Sequence, residues 1–198
     1  MAIIDRLPHS EYVRLNYLQS QGNQWIDAGF KPTGATRFEI KWNSLRTSRS
    51  PNMTIFGARQ DWNMKQFQLT DYETSSVKGY FGYSNTSANW NTLNYNGNYD
   101  LEVSYLGTTF TTSNGISKTI SAQNYNVGKN MYIFALNANG SVSERSSFRL
   151  YYLKFYNGST LIRDFIPVYN KTTGELGLYD KVNNVFYSNQ GSGSFIGA

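Results

Sequence analysis

Cleavage of a glycosidic bond needs two carboxylates facing each other across the sugar. On a strand such residues stand at alternate positions, as in Glu-x-Asp-x-Glu, and the 198-residue chain contains no such triple. Asp100 and Glu102 in YDLEVSY share one strand face, but Leu101, Val103 and Tyr105 take the opposite parity, so the acidic pair reads as a solvent-facing polar edge. The single histidine, His9, lies in a segment without a strand or helix pattern, and there is no cysteine. A Ser-His-Asp triad, a thiol nucleophile, a disulfide and a typical zinc or redox-metal site therefore all lack parts. Calcium needs only oxygen ligands, yet no dense Asp-x-Asp loop gathers them. Phosphate-cradling glycine motifs are missing too, since Gly79 and Gly82 in GYFGY sit in strand-like sequence. The expectation is a protein without catalytic residues, metal or cofactor.

What the residue types can build is a binding surface. Sugars are held by aromatic faces that accept C–H groups, flanked by amide, carboxylate and guanidinium partners in a shallow site. Trp62 lies between Asp61 and Asn63, and Trp90 between Asn89 and Asn91, whereas Trp42 alternates with Ile40 and Phe38 and Trp25 precedes Ile26 in a strand-like run. Trp62 and Trp90 are thus the candidate stacking residues, with Arg59, Tyr72, Tyr83 and Asn91 completing a glycan site. The competing reading is that these aromatics cover a loop or a subunit interface.

The elements that position such a surface are strands. Aromatics make up 16% of the chain and charged residues only 16%, below the roughly 25% charged content of an average domain. Alternation of apolar and polar residues in TRFEIKW, QFQLT and DLEVSYL marks half-buried strands. MYIFAL and RLYYLKFY are apolar on both parities and should lie deeper or carry a bulge. Asn-Gly pairs begin at Asn96, Asn114, Asn139 and Asn157, each a hairpin signal because both residues tolerate positive φ. Pro167 is expected to end a strand, and Gly191 and Gly193 to let the chain cross close to another backbone before Phe195 docks. No window carries a capped helical period. The expected core contains Phe38, Ile40, Trp42, Leu101, Val103, Ile133, Leu150, Phe155 and Phe165. Residues 1–11 read as an N-terminal arm and residues 12–198 as one all-β, two-sheet antiparallel sandwich.

The net charge is +5, but the cations are spread singly apart from Arg37, Lys41, Arg46 and Arg49. No clustered patch of the kind that binds nucleic acid is expected. No apolar run is long enough for a signal peptide or a membrane span.

Two longer segments carry a resemblance. YVRLNYLQSQGNQWIDAGFKP, residues 12–32, offers an opening strand pair ending in Ile-Asp-x-Gly. RLYYLKFYNGSTLIRDFIPVYNKTTGELGLYDKVNNVFYSNQGSGSF, residues 149–195, offers a hairpin, an Arg-Asp-Phe-Ile-Pro strand, Gly-Leu-Tyr-Asp, and a Gly-x-Gly-x-Phe ending. With IFALNANG at residues 133–140, they resemble the concanavalin A-like, laminin-G-like sandwich domains of bacteriophage structural proteins and of surface proteins from Gram-positive and gut bacteria. The resemblance covers most of the chain and thins between Arg46 and Asn98. It implies a jelly-roll sandwich of the concanavalin A-like lectin/glucanase kind. The function it implies is that of a non-enzymatic virion surface protein, a head decoration, fibre or tail component assembled in the host cytoplasm. The partners expected are other virion proteins and cell-wall or capsular polysaccharide, met in many copies, with no nucleic acid and no membrane. A bacterial carbohydrate-binding adhesin module is the alternative, and a glycoside hydrolase stands third because the carboxylate constellation is missing.

Overall fold

A computed structural model describes residues 10–45, 53–61, 64–73, 77–84, 90–94 and 100–198. Its strands are, in chain order, β1 (Tyr12–Arg14), β2 (Leu18–Gln19), β3 (Ile26–Asp27), β4 (Thr36–Ser44), β5 (Met53–Asp61), β6 (Met64–Glu73), β7 (Val77–Ser84), β8 (Trp90–Asn94), β9 (Asp100–Leu106) and β10 (Thr109–Thr112). They continue with β11 (Ser117–Thr119), β12 (Tyr132–Ile133), β13 (Leu136–Ala138), β14 (Ser141–Ser143), β15 (Phe148–Asn157), β16 (Thr160–Asn170), β17 (Glu175–Asp180), β18 (Val185–Tyr187) and β19 (Ile196–Gly197). No helix occurs among the described residues. Residues 1–9, most of the expected arm, and the Asn96-Gly97 turn lie outside the described residues.

The strands form two sheets. The larger runs β11-β10-β9-β4-β15-β16-β17-β18, with β1 added beside β16, β2 beside β15 and β19 beside β2. The smaller runs β14-β13-β5-β6-β7-β8, with β12 beside β5 and β3 beside β12. Register explains the core. Across β9, β4 and β15 the inward residues line up in three rungs, Leu101–Trp42–Leu150, Val103–Ile40–Leu153 and Tyr105–Phe38–Phe155. Phe38 of the larger sheet meets Phe56 of β5 with ring centroids 4.9 Å apart, and Phe56 meets Phe155 at 5.1 Å, so the two sheets face each other across one aromatic layer. All nine residues expected in the core are buried, none more than 2% exposed.

Asn139 and Gly140 both take positive φ, 54° and 98°, in the two-residue turn from β13 to β14, as a type I′ turn requires. At Asn157-Gly158 the turn is displaced by one residue. Asn157 stays paired with Thr160, and Gly158 alone carries the positive φ, 60°, the pattern of a type II′ turn. The 131–136 run lies deep, as expected, with Met131 and Ile133 to Leu136 buried, but it is split into two strands. Phe134 takes φ 67° and turns the chain, so β12 pairs β5 antiparallel while β13 pairs the same strand in parallel. The smaller sheet is therefore mixed, whereas the pairs of the larger sheet are antiparallel. An αL aromatic costs on the order of 1–3 kcal/mol, and Phe134 is kept there by the Phe148 ring at 4.4 Å and by its N–H, which donates to the Ile55 carbonyl at 2.8 Å.

Pro167 also departs from expectation, since β16 continues through it to Asn170. The reason is a change of neighbour. β15 accompanies β16 only as far as Phe165 and β1 begins opposite Val168, so the missing N–H of Pro167 falls in the gap between them. β2 and β3, expected as a strand pair, join different sheets, β2 pairing β15 and β3 pairing β12.

The two resemblance segments meet in space. Arg163 donates from Nε to the Ala28 carbonyl at 3.1 Å and from Nη2 to that of Gly29, also at 3.1 Å. Gly29, at φ 67°, completes a turn in which its N–H donates to Asp27 Oδ1 at 2.9 Å. Asp180, wholly buried, accepts from the N–H groups of Asp164 and Val182 at 2.9 and 3.0 Å and lies 3.6 Å from Arg163. These motif residues are a latch between the chain's opening and its end. Gly191 belongs to the same closure, because a Cβ there would lie 2.0 Å from the Asn23 carbonyl oxygen. Phe195 then docks 5.1 Å from Phe134.

Candidate functional site

The registers that send the three rungs inward send the intervening residues of β9, β4 and β15 outward. One outward row reads Glu102–Lys41–Tyr152 and the next Ser104–Glu39–Lys154, which β16 continues with Asp164. Tyr152 owes its place to a bulge. Leu150 and Leu153 both face the core although three residues apart, which a regular strand forbids, and the register shift between Leu150 and Tyr152 absorbs the extra residue at Tyr151. A bulge re-aims the side chains that follow it, so Tyr152, Lys154 and Tyr156 all stand on the outer face.

Charges on this face are paired across strands. Lys154 Nζ lies 3.3 Å from Glu39 Oε2, Lys41 Nζ 3.4 Å from Glu102 Oε1, and Lys181 Nζ 3.6 Å from Asp164 Oδ2. Tyr156 donates its hydroxyl to Glu39 at 2.8 Å and Tyr151 its own to Asp100 at 2.7 Å. Burial, then the hydrogen bond to a carboxylate, pushes each of these two phenols up to about 12. Tyr152 is raised by burial and then by the Glu102 and Glu39 carboxylates on its flanks. All three phenols are thus neutral donors at ordinary pH.

Tyr152 forms a wall shared by two hollows. On the β9–β10 side a hollow of about 320 Å³ is lined by Glu39, Glu102, Ser104, Thr111, Ser113 and Tyr152 among others. On the β16 side a hollow of about 230 Å³ is lined by Arg14, Tyr152, Lys154, Asp164, Ile166 and Lys181. A half-buried aromatic ring between two open, polar depressions can hold the apolar face of a sugar while hydroxyl and charged groups reach its edges. Among the described residues no three His, Cys, Asp or Glu side chains gather as ligands for a metal ion.

The described residues among those expected from sequence to form the glycan site lie on the other sheet. Trp62 lies outside the described residues. Backbone pairing puts Trp90 opposite Gly82 and Asn91 opposite Phe81, with Tyr83 opposite Phe67 and Arg59 opposite Gln66, so these four positions share one end of the β5–β8 ladder. Tyr72, opposite Lys78, belongs to the other end. The Arg59 guanidinium lies 3.4 Å from Glu144 Oε1, with both side chains about one-tenth exposed (10% and 11%), and Glu144 also accepts from Thr54 at 2.7 Å. That pairing ties β5 to the residue after β14 and leaves Arg59 little surface for a ligand.

Sequence reasoning placed Glu102 and Asp100 on an outward edge, and their side chains are 53% and 45% exposed. It missed Tyr152 and Glu39 as neighbours of that edge, and Lys154 and Arg14 on the far side of Tyr152. The available signal was the outward parity of β4, Glu39 and Lys41 between Phe38, Ile40 and Trp42. Neither a scan against protein-family models nor a search of curated proteins finds a match to this chain.

Proposed function

We propose that the chain is a non-catalytic, glycan-binding sandwich of the concanavalin A-like jelly-roll kind, displayed in many copies on the surface of a bacteriophage particle, where it joins other virion proteins and touches cell-wall or capsular polysaccharide. The observation that carries the binding half of this reading is the Tyr152 wall with its two polar hollows on the open face of the larger sheet. The virion half rests on the resemblance of residues 12–32 and 149–195. A sugar ring lies against Tyr152, and its hydroxyls meet Glu39, Glu102, Ser104 and Ser113 on one side. Such a shallow site gives weak single contacts, on the order of millimolar or about −4 kcal/mol, which multiple copies convert into firm attachment.

The test is a glycan array and a cell-wall pull-down with the wild type and with Tyr152→Ala, Trp62→Ala and Trp90→Ala, each checked by thermal melting. Loss of binding by Tyr152→Ala at an unchanged melting temperature supports the site. Loss by Trp90→Ala alone moves the site to the smaller sheet, loss by Trp62→Ala alone moves it away from Tyr152, and no glycan bound by the wild type sinks the reading. Mass spectrometry of purified particles tests the virion half.

One observation favours a second reading as a glycoside hydrolase: Glu39 and Glu102, on adjacent strands, line the same hollow. Against it, each carboxylate is occupied by a lysine, and Glu39 by Tyr156 as well. Polysaccharide turnover abolished by Glu39→Gln or Glu102→Gln would establish the hydrolase.

A further inference from the structure

The lysines around Tyr152 are each matched by a carboxylate. Lys41 holds Glu102 at 3.4 Å, Lys154 holds Glu39 at 3.3 Å and Lys181 holds Asp164 at 3.6 Å. The phenols divide differently. Tyr151 and Tyr156 give their hydroxyls to Asp100 and Glu39 at 2.7 and 2.8 Å, whereas the Tyr152 hydroxyl has no acceptor among the described residues. Its ring is also committed on one side only. Lys154 Nζ stands over one face, 5.9 Å from the ring centroid, a cation–π contact near the outer limit of such pairs. Lys154 lines the smaller hollow and not the larger, so the face left for a ligand is the one that looks into the larger hollow. That hollow, of about 320 Å³, lies at the lower end of the roughly 300–1,000 Å³ of small-molecule sites. On its wall Ser113 Oγ accepts the Glu102 N–H at 3.1 Å, and the serine's own hydrogen has no acceptor among the described residues.

A charged ligand gains little from such a wall. An anionic unit finds no lysine or arginine lining the larger hollow, and the lysines beyond its rim already hold carboxylates. A cationic unit has to compete with Lys41 and Lys154 for Glu102 and Glu39. Either loses hydration without an equal partner in return. An uncharged sugar asks only for what is uncommitted: one aromatic face, the Tyr152 and Ser113 hydroxyl donors, and the remaining lone pairs of the paired carboxylates. Resting on the glycan-binding reading above, we infer that the unit seated on Tyr152 is an uncharged sugar, held against the ring face turned away from Lys154 and selected by the Tyr152 hydroxyl, which donates to one of its oxygens. The ring supplies contact area, and the hydroxyl supplies the choice between sugars, because an oxygen must stand where that donor points.

The test places the full chain on an array of oligosaccharides of equal length in four classes: neutral hexoses, N-acetylhexosamines, uronate- or phosphate-bearing chains and free-amine-bearing chains. Each is read at about 0.05 M and about 0.5 M sodium chloride, a range over which exposed charges pass from weakly to strongly screened. The expected result is binding confined to the neutral and N-acetylated classes, changing by less than about twofold between the two salt concentrations. Which of those two classes prevails shows whether the acceptor is a sugar oxygen or an acetamido carbonyl. Tyr152→Phe keeps the ring, loses one hydrogen bond and weakens binding by about fivefold, while melting with the wild type. Tyr151→Phe, whose hydroxyl belongs to Asp100, binds as the wild type does. Preference for the acidic or amine class, weakening with salt, overturns the inference and leaves glycan binding standing. Full binding by Tyr152→Phe beside loss by Tyr152→Ala overturns selection by the hydroxyl, because the ring alone would then be recognised. No binding in any class overturns the underlying reading instead.

Discussion

Replacing Asp180 by alanine tests whether the latch between the two motif segments holds the fold together. The side chain is 0% exposed, and its loss removes the acceptor of the Asp164 N–H at 2.9 Å and the Val182 N–H at 3.0 Å, together with the Asn183 Nδ2 contact at 2.6 Å. A buried donor left without an acceptor costs about 1–3 kcal/mol. The ion pair to Arg163 at 3.6 Å goes as well, with the arginine side chain only 15% exposed, and breaking a buried pair from one side costs about 3–5 kcal/mol. These figures overlap rather than add, since Arg163 keeps the carbonyls of Ala28, Gly29 and Ile162. The expected loss is therefore about 3–5 kcal/mol, or about 10 °C in melting temperature for a domain of this size. Asp180→Asn keeps an acceptor for the two N–H groups but turns an amide toward Arg163, and should fall between alanine and wild type. Urea unfolding followed by tryptophan fluorescence measures all three proteins. A loss below about 1 kcal/mol for Asp180→Ala, the size of an ordinary surface change, would refute the latch. An asparagine variant as damaged as the alanine one would assign the cost to charge rather than to the backbone donors.

Gly191→Ala puts a methyl group 2.0 Å from the Asn23 carbonyl oxygen, a backbone atom that cannot swing away, whereas Gly140→Ala meets nothing within 4 Å and suffers only its φ of 98°. Thermal melts should show Gly191→Ala losing at least about 2 kcal/mol and Gly140→Ala about 1 kcal/mol; equal losses would mean that residues 190–193 can shift at little cost. Alkaline titration offers another check. Tyr151 and Tyr156 ionise at about 12 in the folded chain and near 10 when unfolded. Between those values the folded state binds more protons, so stability is fully present below about pH 10 and falls as pH rises toward about 12. After discounting for partial exposure, the two together should cost on the order of 1 kcal/mol over that window. Urea midpoints measured across it should decline for the wild type and decline less for the Tyr151→Phe, Tyr156→Phe double variant.

Elements that depend on neighbours along the chain were legible in the amino acids alone. The alternation Phe38, Ile40, Trp42 and Leu101, Val103, Tyr105 is a period of two, and it named the buried faces of β4 and β9, because successive side chains of a strand point to opposite sides whatever lies beyond them. The same local logic found the Asn139-Gly140 turn and the close crossing at Gly191, and offered a bulge as one of two readings of RLYYLKFY. Trp62, Trp90 and their companions were chosen by polar neighbours in sequence, a weaker criterion that says nothing about which faces share a surface.

Only the tertiary structure decided the rest. Tyr152 faces outward because Leu150 and Leu153 must both meet β4 rungs, and that demand belongs to the partner strand. Pro167 stays within β16 because β15 ends and β1 begins on either side of it. Phe134 holds a left-handed turn because Phe148 packs against it. Glu39, Glu102, Lys154 and Arg14 share one surface although more than a hundred residues separate the first from Lys154 in sequence. A periodic pattern assigns each side chain to a face, but which faces become neighbours depends on pairing between strands far apart in the chain, and burial of the aromatic layer between the two sheets selects that pairing.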